Sequence, residues 1–163
     1  MFKNILRTSL VLIAALVAVA PTAQAQTATQ TVTFQVNAIN QIAFAGAPSL
    51  TITTATAGSA PTSVTDATAT WAVTTNQTGA KISASLATNM PAGLTLNSTL
   101  VAPTGGTSAG LQALSTTSVD LVTGITKLAQ GSLGVSYRLD ATAAAGVVAS
   151  ATKVVTYTIS GGV

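Results

Sequence analysis

The chain has 163 residues, of which only 6% are charged, and a formal net charge of +3. It contains no His, Cys or Glu, and its acids are three well-separated Asp residues, Asp66, Asp120 and Asp140. That composition excludes thiol chemistry and disulfides, supplies no side chain that ordinarily titrates near neutral pH, and argues against an enzyme, a resident cofactor or a metal site.

The N-terminus has the pattern of a secretion signal. Lys3 and Arg7 form a basic start, Leu10 to Ala20 an apolar run, and Pro21 breaks it. Ala23-Gln24-Ala25 fits the small-x-small rule and places cleavage between Ala25 and Gln26. The apolar run is shorter than the ~20 residues of a spanning helix, so no membrane span is expected after cleavage. The expected organisation is a signal peptide over 1–25 and one domain over 26–163. The expected location is outside the cytoplasm of a bacterium: periplasm, cell surface or medium. The remaining cations, Lys81, Lys127, Arg138 and Lys153, nearly balance the three Asp. They form no basic stripe, which argues against nucleic-acid binding.

Beyond the signal, period-two alternation recurs. Thr31 to Val36 places Val32, Phe34 and Val36 on one face and reads as a half-buried strand. The alternation slips at Ala38 and Ile39, then resumes toward Ile42 and Phe44. Leu50 and Ile52 mark a short strand over 49–53, and residues 55–66 read as a loop. Ala67 to Thr75 is a strand with Ala69, Trp71 and Val73 inward. Asn76-Gln77-Thr78-Gly79 is a turn, and Lys81 to Leu86 a returning strand with Ile82, Ala84 and Leu86 inward. The pattern predicts that these two strands pair as a hairpin.

Met90 to Gly93 is a turn before a strand from Leu94 toward Val101. A Gly/Ser/Thr loop over 103–110 and a short extended piece over 112–115 follow. Strands are expected around Val119 and Leu121, over 132–140, and over 153–160 with Val155, Tyr157 and Ile159 on one face. No sustained 3.6-residue period appears beyond the signal. The expected fold is all-β: a single antiparallel β-sandwich of about seven to nine strands without a disulfide. Trp71, Tyr137 and Tyr157 are the candidate core aromatics, with Trp71 expected near Phe34 and Tyr137. A transmembrane barrel needs longer strands and aromatic girdles, and the aromatic content is only 4%.

The Asp residues lack a calcium-loop pattern and are expected to cap strand ends and turns. The lysines lack a Ser-x-x-Lys partner and are expected to guard sheet edges. The Thr-x-Thr steps have no fixed repeat and read as the wet face of a sheet. Asn76-Gln77-Thr78 and Asn97-Ser98-Thr99 fit the glycosylation triplet, a common coincidence in a Thr-rich chain.

The Ala-x-Ala signal, the alternating start at 29–36, the Trp71 strand and the closing Val154-Val155-Thr156-Tyr157-Thr158-Ile159 together resemble bacterial secreted immunoglobulin-like sandwich proteins of surface layers and fimbriae. The resemblance implies an immunoglobulin-like fold and a structural role at the cell surface. The expected function is a pilus-like subunit of an extracellular filament, coat or matrix. Self-association, or association with other surface proteins, would run through the N-terminal strand, with Val32, Phe34 and Val36 as donor residues filling alternate pockets. The alternative expectation is a monomeric envelope module that binds a glycan or protein through loops 55–66 and 103–118.

Overall fold

A computed structural model describes residues 24–163. Most of the signal-peptide reading therefore lies on residues 1–23, outside the described residues. The chain divides into two units, Met1–Gln35 and Val36–Val163. The described part of the first unit, residues 24–35, contains no strand.

The second unit is nearly all-β and sandwich-like, with two antiparallel sheets. Its strands are β1 (Asn40–Ala45), β2 (Val64–Thr75), β3 (Ala80–Leu86), β4 (Leu94–Leu100), β5 (Thr107–Ser108), β6 (Gln112–Ala113), β7 (Val119–Ile125), β8 (Leu128–Ala141) and β9 (Val155–Ser160). The first sheet has the order β1-β2-β8-β4-β6 and the second β5-β7-β3-β9. From β2 onward every connection carries the chain from one sheet to the other.

That crossing rule overturns the expected hairpin. β2 is flanked by β1 and β8, while β3 is flanked by β7 and β9. The Asn76–Gly79 segment is a turn between sheets. The Asn76 side chain accepts from Ile39 N–H at 2.8 Å and donates to Asn37 O at 2.7 Å, which ties the turn to the start of β1. The rest of the turn is tied to the other sheet's side, with Gly79 N–H on Thr126 Oγ1 at 3.1 Å and Thr78 N–H on Val163 O at 2.9 Å, next to the ends of β7 and β9.

Two further expectations are corrected. Thr31 to Val36 lies in neither sheet. Residues 49–53 form no strand either, because β1 is steered off its partner at Gly46. Gly46 has φ +107°, and a Cβ there would sit 2.8 Å from Ala69 Cα, so only glycine fits this crossing of β2. Pro48 then offers no N–H, and Ser49 N–H goes to the Asp66 carboxylate at 2.8 Å rather than to a strand. Leu50 still packs on the core.

The inward faces follow the alternation. Ala69, Trp71 and Val73 of β2 and Ile82, Ala84 and Leu86 of β3 are buried between the sheets with Leu96, Leu100, Leu121, Ile125, Leu133 and Val135. Trp71 is 1% exposed, and its Nε1–H donates to Val101 O at 3.2 Å. Its aromatic neighbour is Phe44, 6.1 Å away and nearly parallel. Phe34, the neighbour expected from sequence, is 90% exposed. The two phenylalanines sit in similar alternating stretches, but only Phe44 belongs to a paired strand.

Candidate assembly surface

The core is unevenly closed. Toward β4 and β7, Leu100, Leu121, Val122 and Ile125 are fully buried. Toward β1 and β9, Ile42, Phe44, Val155, Tyr157 and Ile159 touch the core but remain only half-buried. Both β1 and β9 are edge strands. The second sheet has four strands against five in the first.

Three aromatics bridge the sheets at this side. Phe44 of β1 stacks on Tyr157 of β9 with centroids 3.9 Å apart. The Tyr157 hydroxyl lies 2.7 Å from that of Tyr137 on β8 and 3.4 Å from Ser98 Oγ on β4. Burial pushes the Tyr157 hydroxyl far above its usual range and raises Tyr137 as well. These hydroxyls pair with one another inside a largely apolar layer, which holds both rings in place. Of the expected core aromatics, Trp71 is buried, while Tyr137 and Tyr157 pack against the core from its half-open side.

The backbone of β9 has a fixed polarity. Ala87 N–H donates to Val154 O at 3.1 Å, continuing the register that runs from Leu86↔Val155 to Lys81↔Ser160. In an antiparallel ladder, alternate residues turn their backbone groups toward the partner. Thr156, Thr158 and Ser160 therefore face β3 with their N–H and C=O. Val155, Tyr157 and Ile159 direct theirs outward while their side chains face the core.

The N-terminal segment carries apolar residues at alternate positions. Val32, Phe34 and Val36 are 72%, 90% and 77% exposed. These three alternate with the polar Thr33 and Gln35 along the segment. Near the start of β9, a groove of about 810 Å³ runs between residues 48–55 and 141–153, lined in part by Leu50, Ile52, Met90 and Leu139.

The ionisable groups do not converge. Asp66 accepts from Thr68 Oγ1, Ser49 N–H and Thr68 N–H, and these bonds lower its pKa. Asp140 is lowered first by Ser63 Oγ–H and further by Arg138 and Asn97. Asp120 pairs with Lys81 at 2.9 Å on the surface, a contact worth about 0–1 kcal/mol. Lys153 donates to Thr88 Oγ1 and Asn89 O. Among the described residues no group of acids is placed to hold a metal ion, and no helix is long and apolar enough to cross a membrane. Asn97 is buried with its amide on Asp140, out of reach of a glycosylating enzyme.

These shifts set a pH profile for stability. Asp66 and Asp140 have folded pKa values below their unfolded ones, so the unfolded chain binds more protons at low pH. Their contribution is present above the ordinary carboxylate pKa of about 4 and fades as pH falls through the folded values. Tyr157 and Tyr137 are shifted upward, so their contribution holds below about pH 10 and is lost as pH rises beyond it. Urea midpoints measured against pH are expected to be flat between those limits and to fall outside both.

The alternation of Val32, Phe34 and Val36 was legible in the sequence, and so was Trp71 as the core tryptophan. Alternation marked Phe44 and the last strand, but not the stacking of Phe44 between Trp71 and Tyr157 or the edge position of β9, which follow from sheet order. No protein-family model, curated protein or solved structure matches the chain.

Proposed function

We propose that this protein is an exported structural subunit of a bacterial surface filament, coat or matrix, self-associating by strand complementation. The observation that carries this reading is the exposed triplet Val32, Phe34 and Val36 in a strand-like sequence that belongs to neither sheet. Such a segment gains backbone hydrogen bonds and apolar burial by adding to the sheet edge of another copy. The scarcity of proton-handling side chains fits a structural rather than a catalytic role.

The strand order also supports the immunoglobulin-like resemblance. β1-β2-β8-β4 follows the A-B-E-D order of that fold, and β3 paired with β9 corresponds to C paired with F. β5, β6 and β7 are then additions between D and E. The export step rests on the basic and apolar N-terminal pattern and the Ala-x-Ala site.

The test is sedimentation of residues 26–163 across a range of concentrations beside the Phe34→Asp variant. The reading expects oligomers from the first and monomer from the second. A native-sequence protein that stays monomeric at high concentration overturns it. The groove between residues 48–55 and 141–153 favours a second reading, an envelope module that binds a glycan or peptide. Ligand binding retained in a strictly monomeric protein would decide for that reading.

A further inference from the structure

We infer that the outer edge of β9 is the acceptor, taking the segment Val32–Val36 of a second copy as an added antiparallel strand that seats Phe34 beside Tyr157. The inference rests on the strand-complementation reading and specifies its acceptor site.

Four edges compete. β5 and β6 are two residues long, too short to template a five-residue strand. They also flank the side where the core is already shut, so a strand added there would bury little apolar surface. β1 and β9 remain. A strand added to β1 would extend a sheet that already has five strands, whereas one added to β9 brings the second sheet from four to five.

Spacing and facing agree. β9 turns the backbone groups of Val155, Tyr157 and Ile159 outward and their side chains toward the core. That edge presents three outward positions at period two. The donor presents three apolar residues at period two: Val32, Phe34 and Val36. Seated beside β9, their side chains enter the same inter-sheet layer and cover the half-buried Ile42, Phe44, Val155, Tyr157 and Ile159. The backbone bonds fix the alignment of the donor, and the apolar contacts supply the affinity.

Direction follows from the ladder type. Every strand pairing in the two sheets is antiparallel. An antiparallel donor places Phe34 opposite Tyr157, Val32 opposite Ile159 and Val36 opposite Val155. A parallel donor keeps the central pair and exchanges the outer two. The outer pairs therefore report direction, and the central pair does not.

Because the chain has no cysteine, single cysteines make a clean test. Mature protein carrying Val32→Cys is mixed with protein carrying Ile159→Cys, Val155→Cys or, on the opposite edge, Gln112→Cys. Each mixture is oxidised, and mixed disulfides are identified by mass. All variants are first checked for native circular dichroism and for self-association by sedimentation. The expected result is a mixed disulfide for Val32→Cys with Ile159→Cys at several-fold higher yield than with Val155→Cys, and none with Gln112→Cys. A preference for Val155→Cys overturns the antiparallel assignment. Oligomers that cross-link only at Gln112→Cys, or at none of the three, overturn the β9 acceptor and leave the complementation reading intact. Absence of oligomers from the native-sequence chain overturns both.

Discussion

Trp71→Ala is expected to lower the thermal midpoint of the folded chain by roughly 10 °C or more, a loss of about 3–5 kcal/mol. The side chain is 1% exposed between the sheets, stacks against Phe44 and holds Val101 O through its Nε1–H. Truncation removes the largest apolar surface in the core and leaves a cavity that the flanking strands cannot close, because β2 is held on both edges by β1 and β8. Domain stabilities are typically about 5–15 kcal/mol, so this one change consumes a large share. Trp71→Phe keeps most of the volume and is expected to cost roughly half as much or less. Circular dichroism melts of both variants check this. A Trp71→Ala protein that melts within a degree or two of the native sequence would show that the core is not organised around this ring.

Phe34→Asp is expected to have the opposite profile: an unchanged melting midpoint and a loss of self-association of at least a hundredfold. Phe34 is 90% exposed and is not among the buried core residues, so the change leaves the core unaltered. In the assembled form the ring would be buried. Burial of a Phe side chain is worth about 1.5–3 kcal/mol, and an unpaired carboxylate in its place costs more. A change of about 3 kcal/mol is more than a hundredfold in a dissociation constant. Phe34→Leu keeps the apolar character and is expected to retain association with a modest weakening. Sedimentation and melting on the same samples separate the two effects. A Phe34→Asp protein that associates as well as the native sequence would remove the triplet from the interface.

Much of the architecture is visible in residue alternation, since a strand buried on one face must repeat every two residues. Trp71 with Ala69 and Val73, Ile82 with Ala84 and Leu86, and Val155 with Tyr157 and Ile159 were all placed on inward faces by that rule. Pairing was not legible in the same way. Asn76 to Gly79 has the residues of a turn, but turn chemistry does not say whether the chain returns beside its own strand or passes to the opposite sheet. The outcome was set by β8, some sixty residues later in the chain, which occupies the β2 edge that β3 would have needed.

The candidate site shows the same limit from the other direction. Thr31 to Val36 and Asn40 to Ala45 alternate alike, yet one lies outside the sheets and the other is an edge strand packed on Trp71. The difference arises from the partners available. β1 finds β2 over six consecutive residue pairs. Residues 49–53 carry a similar pattern but are turned away by Gly46 and Pro48, and Asp66 takes the first free N–H. A local pattern specifies the capacity to form a strand; sheet order decides which stretches use it and which edges remain open.

Hydrogen exchange read amide by amide on β9 tests the account most directly. In dilute, monomeric protein the outward N–H groups of Val155, Tyr157 and Ile159 are expected to exchange quickly, while those of Thr156 and Thr158, bonded to β3, exchange slowly. On assembly the three outward amides are expected to become protected together, and in Phe34→Asp protein at the same concentration they are expected to remain fast. Protection of these amides in the monomer, or an assembled state in which they stay fast, would contradict a second copy's strand docking on β9.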